Sequence, residues 1–171
     1  RVEVLGNHTD YNEGFVLSAA IDYGHFFLAA AAEGEQCRIV AGDLMREVAF
    51  STAEPQPVES EGWANYIIGV AARLGQKTGG DAAGAPGSFL GLFLGNVPLG
   101  SGLSSSAALE MSTARALCAL FSLEVDDLAL AKIGQQAEHE FAGVRTGLLD
   151  QISSLHGKRD HLVMSDFRSL E

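Results

Sequence analysis

The chain is poor in basic residues: 11 lysines and arginines stand against 22 aspartates and glutamates over 171 residues, a formal charge of −11. Nucleic acids and anionic membranes are bound by clustered Lys and Arg, so this balance argues against both as partners. A nucleotide is not excluded, because a few fixed dipoles and one metal ion hold phosphates locally. Cysteine is scarce as well. Cys37 and Cys118 lie far apart in apolar surroundings, and with no signal peptide they read as two buried thiols in a reducing cytoplasm. No apolar run approaches the roughly 20 residues of a membrane-spanning helix. The most apolar stretch, residues 21–32, is interrupted by Asp22, Tyr23, Gly24 and His25 and reads as a buried strand. Internal repeats, heptads and the GxxxxGK[ST] loop of the common NTPases are absent too. There is no initiator methionine: the chain opens at Arg1 within a strand-like run, and the expectation is a piece of a longer protein.

What is present is enough apolar residue, 47% of the chain, for a sizeable core. Residues 1–6 alternate like a strand and break at Gly6, and a polar loop rich in turn formers follows. Residues 15–18, 21–32, 36–41 and 46–52 read as an antiparallel-leaning set of strands. After a loop at Pro55 and Pro57, apolar residues at 63, 66, 67, 70, 71 and 74 carry the period of a helix. Residues 79–87 read as a loop and 88–94 as a short apolar strand. A helix follows with Ala107, Met111, Ala114, Cys118 and Phe121 on its buried face. Another spans 126–142, capped by Asp126, with Leu130, Ile133, Ala137 and Phe141 inward. A short helix at 147–157 and a strand at 161–167 close the chain. Strands first, then strand, helices and strand, describe an α+β lobe and not a doubly wound sheet.

Three segments carry chemistry. The first is the loop at 95–106, lying between an apolar strand and an amphipathic helix. Gly95, Gly100 and Gly102 let the backbone approach a ligand closely, and the following helix offers unpaired amides and a positive dipole end. Such a loop is a di- or triphosphate site, and the hydroxyls of Ser104, Ser105 and Ser106 add donors and a possible magnesium ligand. The second is Asn7-His8-Thr9-Asp10-Tyr11-Asn12, whose acid, imidazole and amide groups suit the vicinal hydroxyls of a small polar substrate. The third joins Glu138 to the run Gly147-Leu148-Leu149-Asp150-Gln151, in which Asp150 is an acid among apolar neighbours. On residue types alone Asp150 reads more readily as a helix N-cap and the polar loop as an ordinary turn, and Glu138 reads plausibly as a solvated helix acid.

Pro98-Leu99-Gly100-Ser101-Gly102-Leu103-Ser104-Ser105-Ser106-Ala107-Ala108-Leu109-Glu110 resembles the ATP-binding motif of the GHMP kinases, the group containing galactokinase, homoserine kinase, mevalonate kinase and phosphomevalonate kinase. The triple serine, together with Arg1, Gly6, His8, Thr9, Asp10 and Tyr11, is closest to galactokinase within that group. The resemblance runs over nearly the whole chain with three motifs in the family's order. It implies a ribosomal protein S5 domain 2-like two-layer sandwich, with residues 1–171 forming an N-terminal catalytic domain. It implies ATP and Mg2+ as cofactors and transfer to the anomeric hydroxyl of galactose or a close relative. Residues Gly100, Ser101, Gly102, Leu103, Ser104, Ser105, Ser106 and Ala107 would hold the nucleotide, and Ser106 and Glu138 the magnesium. Asn7, His8, Asp10, Gly147 and Asp150 would bind the sugar, with Asp150 as base or orienting carboxylate beside Arg1. Trp63 and Tyr66 are candidates for an adenine pocket, while His139 reads as surface and His25, His156 and His161 as structural. One position departs: Asn7 stands where the family carries glutamate, which puts the identity of the sugar in question. A C-terminal lobe bearing a third glycine-rich motif would lie outside this sequence, leaving the piece alone poorly active. A sugar kinase of different specificity and a non-catalytic galactose sensor are the competing readings.

Overall fold

A computed structural model describes residues 1–78, 86–98 and 100–170. The expected loop at 79–87 therefore lies almost wholly outside the described residues, as does Leu99. Among the described residues seven strands form two sheets. In the smaller, β2 (Phe15–Ala19) pairs antiparallel with β1 (Val2–Leu5) on one side and β7 (Val163–Asp166) on the other. The larger has the order β3 (His25–Ala31), β6 (Phe89–Gly95), β4 (Gln36–Ala41), β5 (Arg46–Ser51), with β4 and β6 parallel and the other pairs antiparallel. Helices α1 (Ala64–Lys77), α2 (Ser105–Phe121), α3 (Asp127–Ala137) and α4 (Leu149–His156) complete the set. The predicted strands thus divide between two sheets, because residues 20–24 break the chain between β2 and β3.

The core lies between the larger sheet and the helices. Cys37, Ile39, Val48, Phe50, Phe89 and Phe93 from the strands meet Ile67, Ile68, Leu74, Leu109, Leu117 and Leu130 from α1, α2 and α3. Each such side chain contributes about 1.5–3 kcal/mol when fully buried. A smaller core of Val16, Leu149 and Phe167 joins the three-stranded sheet to α4, and the buried Ser18 and Ser153 hydroxyls meet there at 2.6 Å. This second core fixes β1 and the loop after it beside α4.

Two local expectations need correction. Strand β3 is not buried on both faces: Phe27 and Ala29 pack on the core, but Phe26 and Leu28 are 76% and 63% exposed. The 126–142 helix begins as predicted, with the Asp126 side chain accepting from the Ala129 amide at 2.8 Å, but at Glu138–Ala142 it widens into a π-helical turn closed by left-handed Gly143. Both cysteines are free, and burial raises both thiols. No helix among the described residues is long and apolar enough to cross a membrane.

Candidate active site

Asp150 lies in the first turn of α4 but does not cap it; that helix has no side-chain cap. Its carboxylate instead binds two distant groups. Arg1, at the start of β1, donates from Nε to Oδ1 at 2.5 Å and pairs with the same oxygen through Nη2. Ser104, from the loop before α2, donates its hydroxyl to Oδ2 at 2.7 Å. Both members of the ion pair are partly buried, with side chains 14% and 22% exposed. The backbone nitrogen of Arg1 also reaches the Leu103 carbonyl at 3.2 Å, so β1 and the glycine-serine loop are tied together at this point.

The polar loop at 7–12 is held by its own hydrogen bonds. The Thr9 hydroxyl reaches the Gly6 and Phe15 carbonyls at 2.7 and 2.8 Å. Gly6 adopts φ +102°, and a Cβ there would lie 2.4 Å from the Phe15 oxygen, so only glycine fits. His8, also left-handed at φ 63°, meets the Tyr11 hydroxyl through Nδ1 and takes the Asn12 side-chain amide on its carbonyl at 2.7 Å. Asp10 leaves this loop and lies against the turn before α4. A Cβ on Gly147 would sit 1.7 Å from Asp10 Oδ2, and the Leu149 amide is 3.4 Å from the same oxygen. The structure therefore brings Arg1, Asp10, Gly147 and Asp150 together. Asn7 and His8 are exposed at the rim, and the Asn7 side chain makes no hydrogen bond among the described residues.

The loop before α2 has the geometry its glycines imply. Gly100 and Gly102 are left-handed, at φ 69° and 73°, and a Cβ on either would meet only open space. Ser104 is left-handed too and supplies no side-chain cap to α2, since its hydroxyl is committed to Asp150. The helix thus begins with amides that no side chain satisfies. Ser105 and Ser106 line a cavity of about 250 Å³ whose apolar wall is Trp63, Tyr66, Phe93 and Leu109. His25 donates to or accepts from the Ser105 hydroxyl at 2.9 Å, and burial lowers its pKa against the opposing pull of Asp43. Trp63 and Tyr66 therefore share a cavity with the serine loop. His139 is exposed, as expected.

Glu138 is not a solvated acid: it is 2% exposed at the start of the π-helical turn. Its Oε2 accepts from the Thr146 hydroxyl and, at 3.2 Å, from the side-chain amide of Gln151. The same amide donates to Glu110 Oε2 at 3.0 Å. Glu110 and Gln151 are fully buried. Burial, and then the proximity of Glu138, push the Glu110 carboxyl well above the ordinary range; burial and these two acids raise Tyr66 as well. Sequence reading missed Glu110 and Gln151 as site residues. The sequence does carry a signal: residues 107, 110, 114 and 117 step by three and four along the apolar face of α2. No hydrogen bond joins Ser106 to Glu138, and no cluster of three His, Cys, Asp or Glu occurs among the described residues. Glu138 Oε1 accepts no hydrogen bond among them either. One such oxygen with a serine hydroxyl fits magnesium, which takes one or two protein ligands and keeps waters and phosphates for the rest.

The site thus sits on a two-layer α+β domain in which a glycine-serine loop feeds a helix beside a buried carboxylate pair. The model of the GHMP kinase N-terminal domain matches residues 65–158, and the galactokinase galactose-binding signature matches residues 1–31. The chain belongs to the GHMP kinases. Among solved structures it is similar to the galactokinase of Lactococcus lactis, complexed with galactose. The identity is 33% and the TM-score 0.88, over 99% of this chain and 43% of that one. Methanococcus jannaschii mevalonate kinase gives 17% identity and a TM-score of 0.77, covering 98% of this chain and 51% of its own. Streptococcus pneumoniae phosphomevalonate kinase, in complex with phosphomevalonate and AMPPNP, gives 19% and 0.60, covering 81% and 40%. The last two share the fold. The chain thus spans about half the length of these relatives or less.

Proposed function

We propose that this chain is the N-terminal catalytic domain of an ATP-dependent sugar kinase that phosphorylates the anomeric hydroxyl of galactose or a close relative. The observation that carries the reading is the meeting of Arg1, Ser104 and Asp150, drawn from three separate segments. The acid bonds to the serine loop on one side and lies beside the Asp10–Gly147 contact on the other. In this reading Asp10 and the exposed rim of Asn7 and His8 bind sugar hydroxyls. Asp150 receives the proton of the attacking hydroxyl as its oxygen bonds to the γ-phosphorus and the bond to ADP breaks. Arg1 pairs with Asp150 and fixes its carboxylate in place, and proton transfer runs together with phosphoryl transfer. Gly100 to Ala107 cradle the phosphates, and the cavity of Trp63 and Tyr66 takes the adenine. Ser106 and Glu138 would hold magnesium, which when bound neutralises charge on the phosphates.

The exposed and unpaired Asn7 favours a second reading within the same chemistry, a related sugar altered at the position that the family's glutamate contacts. Coupled ADP release by the full-length protein across galactose, N-acetylgalactosamine, arabinose, galacturonate and glucose separates the two. Turnover on galactose, lost in Asp150→Asn, is the expected result. Turnover on another sugar alone transfers the specificity to Asn7, and sugar binding without turnover on any of them leaves a sensor instead of an enzyme.

A further inference from the structure

Gln151 directly follows Asp150, yet the two side chains serve different surroundings. Successive helical residues point about 100° apart. Asp150 reaches Arg1 and Ser104, while Gln151 enters the core and is 0% exposed. Its amide nitrogen has two hydrogens, and both acceptors within reach are carboxylates: Glu110 Oε2 at 3.0 Å and Glu138 Oε2 at 3.2 Å. One NH2 group thereby links α2, the π-helical turn and α4. The site leaves no slack on the side of α3, where a Cβ on Gly134 would lie 2.9 Å from Glu110 Oε2 and 3.1 Å from Gln151 Cγ. Packing does not account for the amide, since leucine would fill similar space without burying polar atoms at a cost. Two donors, Thr146 Oγ1 and Gln151 Nε2, converge on a single oxygen of Glu138. Its other oxygen stays unbonded among the described residues.

We propose that Gln151 is a positioning residue for Glu138. With Thr146 it fixes the carboxylate through Oε2 and leaves Oε1 for the metal, and Glu110 anchors the Gln151 amide in that place. Because Gln151 and Asp150 are neighbours on α4, the same helix sets both the metal carboxylate and the acid that faces the sugar hydroxyl. This inference rests on the reading of Glu138 as a metal-binding residue.

The test measures, on the full-length protein, the affinity for Mn2+ by electron paramagnetic resonance with a non-hydrolysable ATP analogue bound, then the free Mg2+ concentration for half-maximal rate at saturating ATP and sugar, and separately KM for the sugar. Gln151→Leu is expected to raise the Mg2+ requirement about 10- to 100-fold, the usual effect of removing a residue that orients a metal ligand. Its sugar KM should stay within about twofold. Should Gln151→Leu fail to fold, Gln151→Asn retracts the same amide by one methylene and is judged by the same readings. A wild-type Mg2+ requirement in the folded Gln151 variant, with Glu138→Gln strongly impaired, overturns the positioning role alone. Unchanged Mg2+ dependence in Glu138→Gln overturns the metal reading itself, and the inference with it.

Discussion

Replacing Gly147 with alanine tests how the site is assembled, because its consequence can be worked out atom by atom. Gly147 is not in the left-handed region, so alanine faces no backbone penalty there and gains about 0.4–1 kcal/mol from a less flexible unfolded chain. The obstacle is the Asp10 carboxylate: the new Cβ would lie 1.7 Å from Oδ2, 2.3 Å from Cγ and 2.9 Å from Oδ1. Asp10 is a partly exposed side chain on a loop, so it swings away instead of unfolding the domain, and Tm should move by no more than a few degrees. What is lost is the place of the carboxylate. A hydrogen bond to a charged group is worth about 1.5–3 kcal/mol, which at about 1.4 kcal/mol per decade is a loss of about 10- to 150-fold in kcat/KM for the sugar. KM for ATP should hold. In a double-mutant cycle, Gly147→Ala should add little in an Asp10→Ala background, since both act through one carboxylate. Coupled ADP release on the full-length protein supplies every number. Full additivity, or wild-type kcat/KM in Gly147→Ala, would refute the reasoning.

Other expectations follow from separate contacts. Ser104→Ala removes a 2.7 Å bond to Asp150; kcat should fall about 10- to 150-fold with sugar KM little changed, which steady-state kinetics would check. Gly69→Ala places a Cβ 2.7 Å from that of Ala137 and 2.9 Å from its Cα, where helix backbone cannot yield. It should cost about 1–3 kcal/mol in denaturant unfolding, as overpacking does. His25 favours its neutral form when folded, so the unfolded state binds the proton more readily. Its contribution is therefore present above the unfolded pKa and is lost as pH falls below about 6.5 through the folded value. Melting curves between pH 7.5 and 5 should show a drop in Tm that is smaller in His25→Phe.

Much of this arrangement was legible in the chain. The turn formers around Gly6, the glycines at 100 and 102 and the Asp126 cap act locally, and local rules identify them. The meeting of Arg1 with Asp150 joins residues about 150 positions apart and came only from the family resemblance, and the contact of Asp10 with Gly147 came only from the structure. Residue types alone left Asp150 as a helix cap and Glu138 as a solvated acid. The π-helical turn escaped because its residues keep a helical pattern, and only the packing of Gly69 against Ala137 and Phe141 reveals how closely α1 approaches. The exposed face of β3 was hidden for a different reason: Phe26 and Leu28 are apolar wherever they point. Glu110 and Gln151 lie inside or next to motif runs, and their burial follows from packing alone, although an acid on the apolar stripe of a helix requires a partner.

The central claim is phosphoryl transfer to the anomeric oxygen. Phosphorus NMR of the full-length protein incubated with magnesium-ATP and galactose would follow it directly. The account predicts a new resonance coupled to the anomeric proton of the sugar, growing in step with ADP and absent with Asp150→Asn. Inorganic phosphate as the sole product, or a sugar phosphate formed equally by Asp150→Asn, would contradict it.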